Sequence, residues 1–113
     1  MVMRLRLDKP WKPLNAESAA RLPGQLGVYQ VADAGGVLLF IGQAGARSPF
    51  GLRSELQREF AERGAGCQFR VEVNQQYRTR WLEMLMVHQA DHGSLPADNA
   101  KNPPPNLGRL SPS

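Results

Sequence analysis

Tyr29 and Phe40 are the first residues along the chain whose type and spacing bear on chemistry. They sit on two apolar stretches, Leu26–Ala32 and Val37–Gly42, joined by the turn signal Asp33-Ala34-Gly35-Gly36. Read as a β-hairpin with a two-residue turn, these strands place Tyr29 and Phe40 on one face, because cross-strand partners share a face and faces alternate. Gly27 and Gly42 leave bare backbone beside them, as at places where another group approaches a strand closely. An aromatic pair in an ordinary core is the competing reading. Glu83 is the next such residue. It stands in the apolar run Trp81-Leu82-Glu83-Met84-Leu85-Met86-Val87. A carboxylate there must be paired, bound to a metal or placed on the wet edge of its helix. Arg80 or Thr79, one turn back, would give it a local partner. Arg53, between Leu52 and Leu56, points either to solvent with Glu55 and Gln57 or back over the hairpin.

Other reactive types lead less far. His88 and His92 have the i, i+4 spacing that clips zinc, but Gln89 stands where a zincin has Glu, and no third ligand is evident. Cys67 opens a strand with no His or Asp at a telling distance and reads as structural. Gly42-Gln43-Ala44-Gly45 lacks the lysine and hydroxyl of a phosphate loop. Trp11 and Trp81 have no neighbouring aromatics to form a base-stacking platform, and Trp81 reads as core.

The elements that must position these groups can be read from periodicity. Asn15 caps a short helix over Ala16–Leu22, ended by Pro23-Gly24. After the hairpin, whose second strand is apolar on both faces and therefore expected to be central, a loop runs over Gln43–Phe50. Leu52, Leu56 and Phe60 then mark a helix from Gly51 to Arg63, with Gly64 as its C-cap. Cys67–Val73 alternates as a half-buried strand. Thr79–His92 is apolar nearly all round and predicts a largely buried helix capped by Gly93. Met3–Leu7 reads as an edge strand or leading arm, Pro10 and Pro13 as punctuation, and Ser94–Ser113 as an irregular tail. The expected class is α+β: a small three-stranded, largely antiparallel sheet flanked by helices. The expected divisions are an arm and short helix over 1–21, a core over 22–99 and a proline-rich tail over 100–113.

Bulk composition narrows the setting. A chain of 113 residues suits one domain and leaves no room for a second. One cysteine excludes an internal disulfide and a thiolate zinc cage, and fits a reducing cytoplasm. The apolar runs are far shorter than the ~20 residues of a membrane span, and the N-terminus, with Arg4 and Arg6, lacks a signal-peptide segment. No membrane association is expected. The net charge is +4, from 14 basic and 10 acidic residues. Most of the basic residues are arginine, which binds phosphate bidentately, so the balance leans toward polyanions.

Together these residues resemble a known family. Gly27-Val28-Tyr29 followed by Phe40-Ile41-Gly42 looks like the paired signature of the GIY-YIG nuclease domain. Arg53, Glu83 and the asparagine of Pro96-Ala97-Asp98-Asn99 match that family's arginine, glutamate and terminal asparagine. The resemblance spans roughly Leu22 to Asn99. It implies an endonuclease that hydrolyses phosphodiester bonds with Mg²⁺ or Mn²⁺. Tyr29 would be the general base, Arg53 would stabilise the phosphoryl charge, Glu83 would hold the metal and Asn99 would support the site. Phe40, Gly42, Gln43 and Arg47 would bind substrate, with DNA ahead of RNA, and the protein would act as a monomer or homodimer. A free tyrosine has a pKa of ~10, so this role requires cationic neighbours that lower it. The sequence departs from the pattern in two places. Phe40 replaces the second tyrosine, and the loop after Gly42 is longer, so Arg47 competes with Arg53 as the matching arginine. The alternative reading is a degenerate GIY-YIG-like module that binds nucleic acid or a protein without cleavage.

Overall fold

The β-hairpin forms where glycine and asparagine-like turn chemistry predict it, with one extra residue in its loop. In the computed structural model, which describes residues 6–104, β2 (Gly27–Ala32) pairs antiparallel with β3 (Leu38–Ala44). Asp33 N–H donates to the Val37 carbonyl at 2.9 Å, which leaves three loop residues, Ala34, Gly35 and Gly36. The Asp33 carboxylate accepts from the amides of Gly35 and Val37, both at 2.9 Å. Gly36 takes φ 91°, a left-handed conformation that a residue with a Cβ rarely adopts. The register shifts between Val31 and Ala32, and beyond it Tyr29 lies opposite Gly42 and Val31 opposite Phe40.

The remaining elements follow in order: β1 (Lys12–Pro13) and α1 (Ala16–Ala20) before the hairpin, then α2 (Gly51–Arg63), β4 (Gln68–Val73), α3 (Tyr77–His92) and α4 (Ala97–Ala100). The class is α+β, but the sheet has four strands, not three, in the order β1-β4-β2-β3, all antiparallel. The extra strand comes from the proline-flanked segment that reads as punctuation. Lys12 and Pro13 pair with Phe69 and Gln68, and Leu14 N–H donates to the Cys67 carbonyl at 2.9 Å. Proline carries no ladder donor, and β1 is an outer edge, where none is needed. β3, expected to be central, is an edge strand, and β2 is the central one, between β3 and β4. Helices cover both faces of β3, so apolarity on both sides marks coverage and not a central position.

The strand period sorts side chains onto two faces. Tyr29, Val31, Ala44 and Phe69 join Leu52 and Leu56 of α2 and Ala19 of α1 in one core cluster. Val28 and Ile41 join Met84 and Leu85 of α3 in the other. α1 carries the expected cap: Ser18 N–H donates to Asn15 Oδ1 at 2.8 Å, and Asn15 N–H to Ser18 Oγ at 3.1 Å. α2 has the expected bounds, with Gly64 at φ 75°. α3 begins earlier than expected and is not buried all round. Arg80, Met84 and Leu85 are its buried residues, because nothing among the described residues covers its outer side. The start of the expected irregular tail folds into α4, whereas most of the Met3–Leu7 segment and residues 105–113 lie outside the described residues. No described helix is long and apolar enough to cross a membrane.

Candidate functional site

Tyr29 projects from the central strand toward α2 and is almost completely buried, at 1% exposure. Its ring fills the space over Gly42, where a Cβ would fall 2.2 Å from the tyrosine Cζ. Its hydroxyl donates to Glu59 Oε2 at 2.8 Å. Glu59 is itself buried and sits on the stripe of α2 that carries Leu52 and Leu56. Arg63, one turn on, donates from Nε to Glu59 Oε1 at 2.7 Å and meets Asp98 Oδ2 at 2.8 Å through Nη1. Its guanidinium lies 5.8 Å from the centroid of the Phe40 ring, and Phe40 lies 6.0 Å from the Tyr29 ring. Tyr29 and Phe40 thus share a face and a cluster. Burial, and next the charge of Glu59, push the Tyr29 hydroxyl far above the usual phenol range, and Arg58 offsets this only in part. At neutral pH this group is a committed donor, the opposite of what a general base requires.

Arg53 donates from Nε to the Leu22 carbonyl at 2.8 Å. It therefore turns back over the link between α1 and β2. Glu83 takes the local partner: it forms an ion pair with Arg80, which also binds Glu72 Oε2 at 2.9 Å. Glu72 alternates with Phe69 and Val71 and so faces α3. Tyr29 is on the α2 side of the sheet and Glu83 on the α3 side. Asn99, at 4% exposure, staples the free edge of β3. Its Oδ1 accepts from Ile41 N–H at 2.7 Å and its Nδ2 donates to the Ile41 carbonyl at 2.9 Å. Trp81 Nε1 donates to the same carbonyl at 2.8 Å. The structure brings Tyr29, Phe40 and Gly42 together on the side of the sheet that α2 covers, places Arg53 on α2 with its guanidinium on the Leu22 carbonyl, and holds Glu83 on α3. The Glu83 carboxylate, the one expected metal ligand, is paired with the Arg80 guanidinium, and among the described residues no three His, Cys, Asp or Glu side chains converge on one position.

Sequence reasoning named Arg80 as a local partner of Glu83 but missed Glu59, Arg63 and Glu72. Spacing carried the signal for the first two. Leu52, Leu56, Glu59 and Arg63 follow the i, i+4, i+7, i+11 pattern of one helix face, so a carboxylate and a guanidinium had to turn inward together.

The end of the sheet where Gly27, Ala44 and Val73 meet has a different character. Both long helices start there. Leu52 N–H, at the start of α2, donates to the Gln25 carbonyl at 2.8 Å, and a Cβ on Gly45 would fall 2.6 Å from Tyr77 at the start of α3. Neither helix has an acidic residue in its first turn or a side-chain cap. The aligned dipoles make such ends favourable to anions, but the first amides of α2 are already taken, Gly51 N–H by the Ser48 carbonyl and Arg53 N–H by the Phe50 carbonyl, each at 3.1 Å. Arg47 and Arg78 are exposed and form no ion pair among the described residues. Arg78 lies 5.8 Å from the Trp81 ring centroid, and Phe50 is 60% exposed. Of the expected substrate-binding set, Arg47 belongs to this end, Gln43 is half-buried on the α3 face, and Phe40 and Gly42 lie on the Tyr29 side.

Residues 3–91 match a family described as a domain of unknown function (DUF7508). No curated protein and no solved structure matches the chain.

Proposed function

We propose that the chain, which belongs to the DUF7508 family, is a GIY-YIG-like module that binds nucleic acid without cleaving it. The observation that carries this reading is the buried hydrogen bond from Tyr29 to Glu59 on the face of the sheet opposite Glu83. A hydrolytic centre needs base, charge-stabilising group and metal ligand around one reacting atom. Here the phenol is locked as a donor and the carboxylate is held on the other side. What supports binding is the end of the sheet bearing Arg47, Phe50, Arg78 and the starts of α2 and α3. It offers unpaired guanidiniums, an exposed ring and the positive ends of two helix dipoles to a phosphate backbone. A cytoplasmic location and a monomer or homodimer fit this reading.

The test is fluorescence anisotropy with labelled ~20-nucleotide single- and double-stranded DNA and RNA over a salt series, run beside cleavage assays with Mg²⁺ and Mn²⁺. About three phosphate contacts give a log–log salt slope near −2 to −3. The expected result is salt-sensitive binding, no cleavage with either metal, and at least a tenfold loss in the Arg47→Glu, Arg78→Glu double variant. Metal-dependent cleavage that Glu83→Ala abolishes would reinstate the nuclease reading. No affinity at low salt overturns both.

A further inference from the structure

The α3 face of the sheet holds a cavity of about 800 Å³, between the hairpin, the segment around Leu7–Trp11 and the C-terminal half of α3. That volume lies in the range of small-molecule sites. Its two poles differ. Leu38, Met84, Val87 and Leu95 form an apolar side, and Arg70 stands on the other.

Arg70 is unlike most other described arginines that reach into the fold. Arg58, Arg63 and Arg80 each meet a carboxylate. Arg70 meets none within ion-pair distance among the described residues. Its Nε donates to Gln30 Oε1 at 2.7 Å and its Nη1 to the Lys9 carbonyl at 3.1 Å. The plane lies over Trp11, 4.2 Å from the ring centroid. Gln30, which fixes it, is 6% exposed. Nη2 has no acceptor among the described residues. Burial pushes the guanidinium below its ordinary range, and the charge of Asp8 opposes this only in part. A part-buried cation that is oriented on three sides and left open on the fourth is a prepared half of a bidentate anion contact. Arg6, on the same cavity, is no rival, because Asp91 holds it through two hydrogen bonds at 2.9 and 2.7 Å.

We propose that this cavity binds a small amphipathic carboxylate, with its carboxylate on Arg70 and its hydrocarbon body against Leu38, Met84, Val87 and Leu95. The site is remote from the basic end of the sheet, so the two readings stand or fall separately.

Octanoate is the probe, and octan-1-ol is the uncharged control of the same length. The full chain is titrated with each while ¹H–¹⁵N spectra follow its indole N–H signals, which belong to Trp11 and Trp81. The expected result is saturable one-to-one binding of octanoate that moves the Trp11 signal. Octan-1-ol should bind at least tenfold more weakly, and Arg70→Gln should weaken octanoate at least tenfold. Val87→Trp, which fills the apolar pole, should abolish binding and leave nucleic-acid affinity unchanged. The proposal is overturned by the absence of saturable shifts up to about 10 mM octanoate, by equal binding of the alcohol, or by wild-type affinity in Val87→Trp. If Arg70→Gln does not fold, the alcohol comparison and Val87→Trp decide alone.

Discussion

Tyr29 reaches Glu59 from the middle of the central strand, and both groups are buried, so removing the hydroxyl while keeping the ring isolates one interaction. Glu59 retains Arg63 at 2.7 Å in that variant. Tyr29→Phe should therefore cost about 1.5–3 kcal/mol, the usual range for a hydrogen bond to a charged acceptor, read from urea unfolding. Binding to nucleic acid should be unchanged; a loss of affinity without loss of stability would place Tyr29 in the binding surface. Gly42→Ala acts on the same ring from beneath. Its Cβ would meet the tyrosine ring at 2.2 Å, so the ring must move and the hydrogen bond stretch. Overpacking there should cost about 2–3 kcal/mol. At this scale the sequence was legible as far as period two reaches. It placed Tyr29, Phe40 and Gly42 on one side of the hairpin. It could not show that Glu59 fills the space where a substrate was expected, because that contact joins residues thirty positions apart.

Elements are held at their ends and edges more than by propensity. β3 has a free edge, and Asn99 and Trp81 close it at Ile41 with three hydrogen bonds. Asn99→Ala leaves the buried Ile41 N–H without that acceptor and should cost about 2–3 kcal/mol, with amide exchange accelerated at Ile41 first. A cost below about 0.5 kcal/mol would show that the edge is satisfied in another way. The far end of α3 carries a pH dependence. His88 Nδ1 lies 2.9 Å from the Ser94 carbonyl and its ring 4.4 Å from that of His92. Burial, then His92, push His88 below its ordinary value, while the Ser94 carbonyl and Asp91 work the other way. The folded chain thus favours neutral His88, and the unfolded chain binds the proton more readily. Its contribution is present above the unfolded value near 6.5 and falls away as pH drops through that value toward the folded one. The urea midpoint should be lower at pH 5.5 than at pH 7.5, and the difference should shrink in His88→Gln. α2 and the hairpin were legible because apolar spacing and turn chemistry are local. β1 was not, because two residues beside prolines carry no period, and their pairing with Phe69 and Gln68 is decided by a strand more than fifty positions away.

For the whole molecule, the sheet is a partition. α1 and α2 pack on one side of β2 and α3 on the other, and most charged groups are neutralised on their own side: Arg63 with Glu59 and Asp98, Arg80 with Glu72 and Glu83. The +4 charge is therefore not spread evenly. Among the described residues the exposed cations outside any ion pair include Lys9 and Lys12 beside β1 and Arg47 and Arg78 at the end where α2 and α3 begin. The partition has a thermodynamic consequence that separates the two functional readings without any substrate. Residues that share a reacting centre are coupled, whereas residues on opposite faces with no common partner contribute independently. Glu83→Ala leaves Arg80 bound to Glu72 and removes a half-exposed carboxylate, so it should cost no more than about 1 kcal/mol. Combined with Tyr29→Phe in a double-mutant cycle, the two losses should add to within about 0.5 kcal/mol. A coupling above about 1 kcal/mol, measured by denaturant unfolding with and without Mg²⁺, would mean that the two side chains meet across the sheet, and would return Tyr29 and Glu83 to a single catalytic centre.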